Sequence, residues 1–514
     1  MAGTFRLAPT RIAVALAAGV FACVAAECAT RIIDGYSIRS LRLARVRAPN
    51  SAASDQDKAV NPRQAIPYLP RVPLANGVDS AWFALDPEPR PATKADAELD
   101  RRYWAARGHE LPSVYEWNLQ FIRSVLCERD RSAHPYLAAQ FLALDDLYVF
   151  EPGGGTPYPT YRFLRNAHYP SGLVTNVYGW RGPDVPLNKP AGRIRIAFVG
   201  ASTTLDAHGD PFSYPEHVGR WLHEWSSVRH PSVTFDVVNA GREGILSNSI
   251  AAVVREELMP VRPDLVVYYE GANQFWPNNF VTRPVVQILR VLNPGTVVER
   301  YSAIGVRVRQ LIDRPASGVE PHKPPIVVDW PSDLDEGHPS LADPRLPVQL
   351  PQIIGDLDRM RADLAGVHGT LMPSSFVWLV DPGLVLDARR DALVYRELNE
   401  RYWPFSYAHM RRFVDFENRA FRTYAQTRGL PFNDLDAVYP RDPRLFVDSV
   451  HMTPAGVKLK AWIVFQHLVS ELDRRLLSGA LPVPDPGGRT THPAFPDTTR
   501  RLETIAGLMK RCGR

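Results

Sequence analysis

The sequence predicts an α/β domain built on a five-stranded parallel sheet, and three observations predict it. From residue 193 onward, short β-rich runs alternate with segments whose apolar residues recur at helical spacing. The β-rich runs show little polar alternation, as strands buried on both faces do. Polar or glycine-containing turns follow them, on the sheet edge where open parallel sheets bind ligands.

The strands are expected at RIRIAFVG (193–200), VTFDVVNA (233–240), DLVVYYEG (264–271) and SFVWLVDP (375–382), with a fifth at LPFNDLD (430–436). Between the first three lie PEHVGRWLHEWSS and SNSIAAVVREELM, the helices of a βαβαβ unit with right-handed crossovers. A helical stretch over roughly 389–429 precedes the fifth strand, and TPAGVKLKAWIVFQHLVSELDRRLL (453–477) reads as an amphipathic closing helix. A large insertion, about residues 275–370, separates the third and fourth strands. Its Pro-rich middle reads as loop, of the length that marks a lid, a binding surface or a spacer.

Around this domain, assigned to 191–478, the chain divides by composition. Residues 1–30 hold a positive n-region (Arg6, Arg11) and an apolar run, IAVALAAGVFACVAA, with small residues placed as before a signal-peptidase cut. The run is short for a bilayer-spanning helix, and the arginines from Arg31 to Arg47 oppose clean translocation. A cleaved signal peptide and an uncleaved anchor both stay open, with export of the body to the periplasm or outside expected in either case. A buried N-terminal helix in a cytoplasmic protein is the alternative. Residues 31–75, rich in Ala, Ser, Asn and Pro from 48 on, read as a linker, and 76–190 as an accessory region. Within it, DAELDRRYWAARG and SVYEWNLQFIRSVLCERD have helical periodicity, and YVFEPGGGTPYPTYRFLRN reads as strand, turn, strand. Residues 479–514 read as a Pro-rich linker and tail with a short terminal helix.

Composition excludes some classes. The chain has 514 residues, 45% hydrophobic and 22% charged, which is ordinary for a globular protein. A net charge of +5 without a dense basic block argues against nucleic acid as a partner. The triple glycine 153–155 lacks the Gly-Lys-Ser/Thr and the helix of a phosphate cradle. His208, His217, His223 and His230 have no acidic partner at metal-ligand spacing, so neither a metal nor a cofactor is expected. Of four cysteines, Cys23 and Cys28 lie by the N-terminal run. Cys127 and Cys512 are either a pair or two unrelated buried thiols, and spacing does not decide.

Four polar sites fall at or beyond predicted strand ends: Ser202, Gly241 and Gly244 in NAGREG, Asn273 in EGANQ, and Asp448 with His451 in DSVHMTPAG. Those residue types suit acyl transfer. A serine hydroxyl needs a base, for which His451 is the candidate, and Asp448 could hold its tautomer. The Ser202 N–H, the Gly244 N–H and the Asn273 amide could bind the oxyanion. Each has a plainer reading: Ser202 as a helix cap, Asn273 as a turn residue, Asp448 as a cap with His451 in solvent, and Gly241 as a turn glycine. FWPNNF (275–280) could line a pocket or pack a core or lid, and Asp145–Asp146 reads as a solvated face.

VGASTT, NAGREG, EGANQ and DSVH, in that order, resemble the four sequence blocks of the GDSL/SGNH hydrolases, over about 193–475 without the insertion. NVYGWRG (176–182) resembles the lead-in of many exported bacterial members. The resemblance implies a flavodoxin-like three-layer sandwich. It makes Ser202 the nucleophile, Asp448 and His451 the acid and base, and Ser202, Gly244 and Asn273 the oxyanion hole. The first block departs from Gly-Asp-Ser-Leu, and Gln274 stands where an aspartate is usual. Combined with export, the resemblance implies an esterase acting on O-acyl or O-acetyl groups of carbohydrate or cell-envelope polymers, that is, a small-molecule or polysaccharide ester substrate. An acyltransferase using the same site, or a non-catalytic envelope or carbohydrate-binding protein on this scaffold, are the alternatives.

Overall fold

A computed structural model describes residues 9–33, 38–39, 41, 62–88, 115–127, 141, 146–151, 159–167, 173–206, 212–274, 301–312, 333–381, 383–386, 391, 394, 398, 407–493 and 501–512. The segments DAELDRRYWAARG, the triple glycine, His208, Asp145 and FWPNNF lie outside them. The chain forms two units, one of residues 1–57 and 286–326, the other of 58–285 and 327–514.

In the first unit, helix Pro9–Ile33 packs against helix Ala303–Ile312. Glu27 caps the second helix, accepting from the Ala303 N–H at 2.7 Å and the Ser302 hydroxyl at 2.9 Å while pairing with Arg31 at 2.8 Å. Burial opposes its charge, but these donors hold its pKa down at about 2. Among the described residues no helix is long and apolar enough to cross a membrane.

Among the described residues the second unit carries two four-stranded sheets. Its strands are β1 Tyr115–Asn118, β2 Asp146–Phe150, β3 Tyr161–Phe163, β4 Arg193–Gly200, β5 Thr234–Asn239, β6 Leu265–Tyr269, β7 Thr370–Pro373 and β8 Arg501–Thr504. The larger sheet has the order β5-β4-β6-β7, and every pair in it is parallel. Ile194, Ile196, Phe198 and Val199 of β4, and Val266, Val267 and Tyr268 of β6, are fully buried, which fits strands covered on both faces. The first crossover leads from β4 to one side and the second returns past β4 to the other. Right-handed connections therefore put helix Tyr214–Arg229 and helix Ser247–Val253 on opposite faces. Helix Tyr214–Arg229 packs on the closing helix Pro454–Leu477, and helix Ser247–Val253 packs on helix Leu350–Ala365. The closing helix starts with Thr453 accepting from the Gly456 N–H and Pro454 in its first turn.

Among the described residues the sheet has four strands, not five. Pro431 brings no N–H, and at Asp434 the chain turns into a short helix, Leu435–Val438. Only Asn433 reaches the edge, in a single parallel bridge to Ser374. The fourth strand also lies earlier than SFVWLVDP. After Pro373 the buried run Phe376–Leu379 bonds to side chains and loops: the Phe376 N–H donates to Asn418 at 2.7 Å and the Leu379 N–H to the Ser449 carbonyl at 2.8 Å. An unbroken apolar run records burial, and these bonds, rather than a ladder, satisfy its backbone.

The second sheet has the order β3-β1-β2-β8. Within the described part of the predicted helix SVYEWNLQFIRSVLCERD, Tyr115–Asn118 is a strand and Leu119–Cys127 a helix. β2 and β3 are strands but do not form a hairpin, because β1 lies between them. β8 pairs antiparallel with β2, and a disulfide joins Cys127 to Cys512. Residues 62–71, read as linker from composition, form a 3-10 helix packed on the closing helix, with the Ala75 N–H donating to Gln466 at 2.7 Å.

Candidate active site

β4 ends at Gly200, where a Cβ would lie 2.1 Å from the Tyr269 carbonyl oxygen, so only glycine lets the chain turn here. Ala201 follows as N-cap of a one-turn helix, Ser202–Leu205, and no side chain caps it. The Ser202 hydroxyl therefore faces outward from the turn. Its Oγ lies 2.7 Å from Nε2 of His451, 249 positions away.

His451 belongs to a loop before the closing helix. Leu445 accepts from the Thr453 N–H and His451 accepts from the Val447 N–H, so the loop doubles back on itself. Asp448 works inside this loop. Its Oδ1 accepts the N–H groups of Val450 and His451 at 2.8 and 2.7 Å, and its Oδ2 lies 2.5 Å from Nδ1 of His451. Burial opposes the Asp448 charge, but the His451 ring and the two backbone donors outweigh it and hold the carboxyl at about 2. With the Nδ1 proton held by a carboxylate, Nε2 is the nitrogen that can accept from Ser202.

The Ser202 turn is fixed from below by buried polar groups. Arg181 donates to the carbonyls of Leu205 and Asp206 at 2.9 and 2.7 Å and pairs with Glu216 at 3.0 Å. Asn239 donates to the Thr204 carbonyl at 3.0 Å. Lys460, 1% exposed on the closing helix, donates to the Thr203 carbonyl at 2.6 Å and pairs with Asp206 at 3.0 Å.

The loop after β5 holds the two glycines. Gly241 is buried at the turn, its N–H donating to the Asn239 side chain at 3.0 Å. Gly244 is exposed, with φ of +66° and open space where a Cβ would be. Between them Arg242 is buried against Glu257, which also accepts from the Trp180 indole at 2.9 Å. After β6, Asn273 donates through its carboxamide to the Ile245 carbonyl at 3.2 Å, tying this loop to the one that carries Gly244. Gln274 is buried, its amide donating to the Ser247 hydroxyl at 2.9 Å.

Ser202, His451 and Asp448 thus form one hydrogen-bonded chain. Asn273 and Gly244 belong to two loops joined by the Asn273–Ile245 bond, and Gly241 makes the turn. No role is read from the sequence for Arg181, Asn239, Glu270 or Lys460, although NVYGWRG, NAGREG and EGANQ contain the first three. Lys460 had a visible signal, a lysine inside the apolar run GVKLKAWIVF.

No protein-family model matches the chain, and no curated protein matches it. Among solved structures, it is similar to LAE5, an alpha/beta hydrolase enzyme from the metagenome of Lake Arreo, at 14% identity and a TM-score of 0.29, over 55% of this chain and 98% of that one. It is similar also to Axe2, an acetylxylan esterase from Geobacillus stearothermophilus, at 14% identity and a TM-score of 0.30, over 55% of this chain and 96% of that one.

Proposed function

We propose that this chain is an exported serine esterase of the GDSL/SGNH type, acting on O-acyl or O-acetyl groups of carbohydrate or cell-envelope substrates. The observation that carries the reading is the relay from Ser202 Oγ to His451 Nε2, 2.7 Å, and from His451 Nδ1 to Asp448 Oδ2, 2.5 Å. That is the constellation acyl transfer needs: a weak nucleophile, a base in reach of its proton, and a carboxylate to hold the base.

In this reading His451 takes the hydroxyl proton as Ser202 Oγ attacks the ester carbonyl carbon. The carbonyl oxygen becomes an oxyanion, held by the Ser202 N–H, the Gly244 N–H and the Asn273 carboxamide. Asp448 stabilises the imidazolium. The imidazolium then gives its proton to the departing alkoxide, leaving an acyl-serine. Water repeats the sequence, giving a proton to His451 and its oxygen to the acyl carbon, and Ser202 leaves with a proton from His451. Asp448 stays ionised throughout, consistent with a pKa held far below neutrality.

A fluorophosphonate probe tests the reading directly, because it phosphonylates an activated serine whatever the natural acyl group. The expected result is stoichiometric labelling of the parent, none of Ser202→Ala, and p-nitrophenyl acetate hydrolysis reduced at least about a thousandfold in that variant. An unlabelled parent that also fails to turn over short acyl esters overturns it.

A further inference from the structure

Glu270 is the first residue beyond β6, and Ala201 is the first beyond β4. Gly200 pairs with Tyr269 in the parallel register, so the two residues leave adjacent strands side by side. The Glu270 side chain is 1% exposed. Its Oε1 accepts the Asn273 N–H at 2.8 Å, and the backbone N–H groups of Gly271 and Ala201 also favour its anion. One carboxyl group is therefore bonded to the residue that presents the carboxamide and stands beside the residue before Ser202. No side chain of the Ser202–His451–Asp448 relay does this.

We propose that Glu270 is a positioning residue, whose carboxyl oxygens brace the Ser202 turn to the Asn273 loop and so set the separation of nucleophile and oxyanion donor. The proposal rests on the reading of Ser202 as nucleophile. Parallel strands diverge with the sheet twist once their ladder ends. Among the described residues no backbone–backbone bond joins the two loops beyond Gly200 and Tyr269, and the Thr204 hydroxyl donates to the Tyr269 carbonyl at 3.0 Å. The Glu270 carboxyl spans that gap. Displacing a reacting group by about 1 Å costs on the order of a hundredfold in rate, so a brace at this place acts on the chemical step rather than on substrate affinity.

The brace needs an acceptor, not a charge. Burial raises the Glu270 pKa to about 7, against the backbone donors and His451, which favour the anion. Glu417, on helix Tyr407–Thr427, interacts electrostatically with Glu270, as does Tyr268 on β6. A Cβ on Gly271 would come within 2.8 Å of Glu417 Oε2, which shows how tightly the helix seats against this loop.

Three variants separate the possibilities. Glu270→Gln keeps a carbonyl oxygen for the same N–H groups, Glu270→Met fills the space without an acceptor, and Glu270→Asp keeps the charge on a shorter stem. The readouts are the second-order rate constant of fluorophosphonate labelling and the kcat and KM for p-nitrophenyl acetate at pH 8, on variants whose melting temperature has been checked. Glu270→Gln is expected within about threefold of the parent. Glu270→Met is expected to lose about a hundredfold in labelling and in kcat, with KM changed less than about twofold. Glu270→Met equal to the parent, or Glu270→Gln as poor as Glu270→Met, overturns the proposal. So does Glu270→Asp matching the parent while Glu270→Gln does not, because charge would then be the working property. Should Glu270→Met not fold, amide exchange in the parent decides. The Gly271 and Asn273 amides are expected to exchange as slowly as those of β6, and exchange at open-loop rates overturns the brace. A parent that is never labelled defeats the esterase reading instead, and the exchange measurement keeps the two failures apart.

Discussion

Glu417 carries both carboxyl oxygens into the interior from the middle of helix Tyr407–Thr427, and neither meets a hydrogen-bond partner. Burial, and then the neighbouring Glu270, raise its pKa well above the usual carboxylate range, so the folded protein holds it neutral. The unfolded chain releases that proton near the ordinary glutamate pKa. As pH rises above about 4.5, the unfolded state is therefore favoured progressively, until the folded pKa is reached. Glu417→Met removes both this linkage and the desolvation of an unpaired carboxyl. Its melting temperature is expected to exceed the parent's by about 3 °C or more at pH 8, and by less than half of that at pH 5. A gain independent of pH, measured by scanning calorimetry, would place Glu417 in the folded state as an ordinary ionised carboxylate. Ser202 shows the opposite economy at the same scale: its hydroxyl meets His451, while Ala201 starts the helix without a capping side chain.

The one-turn helix Ser202–Leu205 is too short to hold itself, because four residues close at most one turn of hydrogen bonds. Its carbonyls are taken instead by Arg181, Asn239 and Lys460, three residues from three other parts of the chain. Lys460 and Asp206 are both buried, and removing one partner of a buried pair leaves the other uncompensated. Lys460→Met is expected to cost about 3 kcal/mol at pH 7, and less as pH falls toward 4, because a protonated Asp206 needs no counter-charge. Denaturant titration at the two pH values measures it, and labelling of the same variant is expected to slow as the Ser202 turn loosens. At this scale the sequence was legible in uneven measure. Ser202, Asn273, Asp448 and His451 were visible because each follows a recognisable strand or precedes a recognisable helix. Arg181 lies in NVYGWRG and Lys460 in the apolar run GVKLKAWIVF, but one dimension does not tell that either charge props the turn that carries Ser202. The fifth strand failed for a related reason. LPFNDLD has the composition of a strand, but Pro431 and the turn at Asp434 leave only Asn433 paired.

Across the molecule, the accessory sheet takes its last strand from a segment far away in sequence. β8 pairs with β2 across some 350 residues, and the disulfide from Cys127 to Cys512, 385 positions apart, fastens helix Leu119–Cys127 to helix Ile505–Lys510. Neither contact has a local signature. Cysteine spacing carries no information at that separation, and a four-residue edge strand such as RLET has no apolar periodicity to betray it. The consequence is energetic. A cross-link spanning most of the chain restricts the unfolded ensemble strongly, and native disulfides of this kind contribute about 2–5 kcal/mol. Disulfides persist in oxidising compartments, which supports the proposed export of the body. Replacing both cysteines with serine is therefore expected to lower stability by about 2–5 kcal/mol, with the loss concentrated in the accessory sheet. The parallel sheet that carries Ser202 is cross-linked to neither cysteine, so labelling at 25 °C is expected to stay within about twofold of the parent. Amide exchange resolves the two sheets: faster exchange in β1, β2 and β8 with β4 and β6 unchanged is the expected pattern. Uniform acceleration in all eight described strands would mean that the two sheets unfold as one cooperative unit.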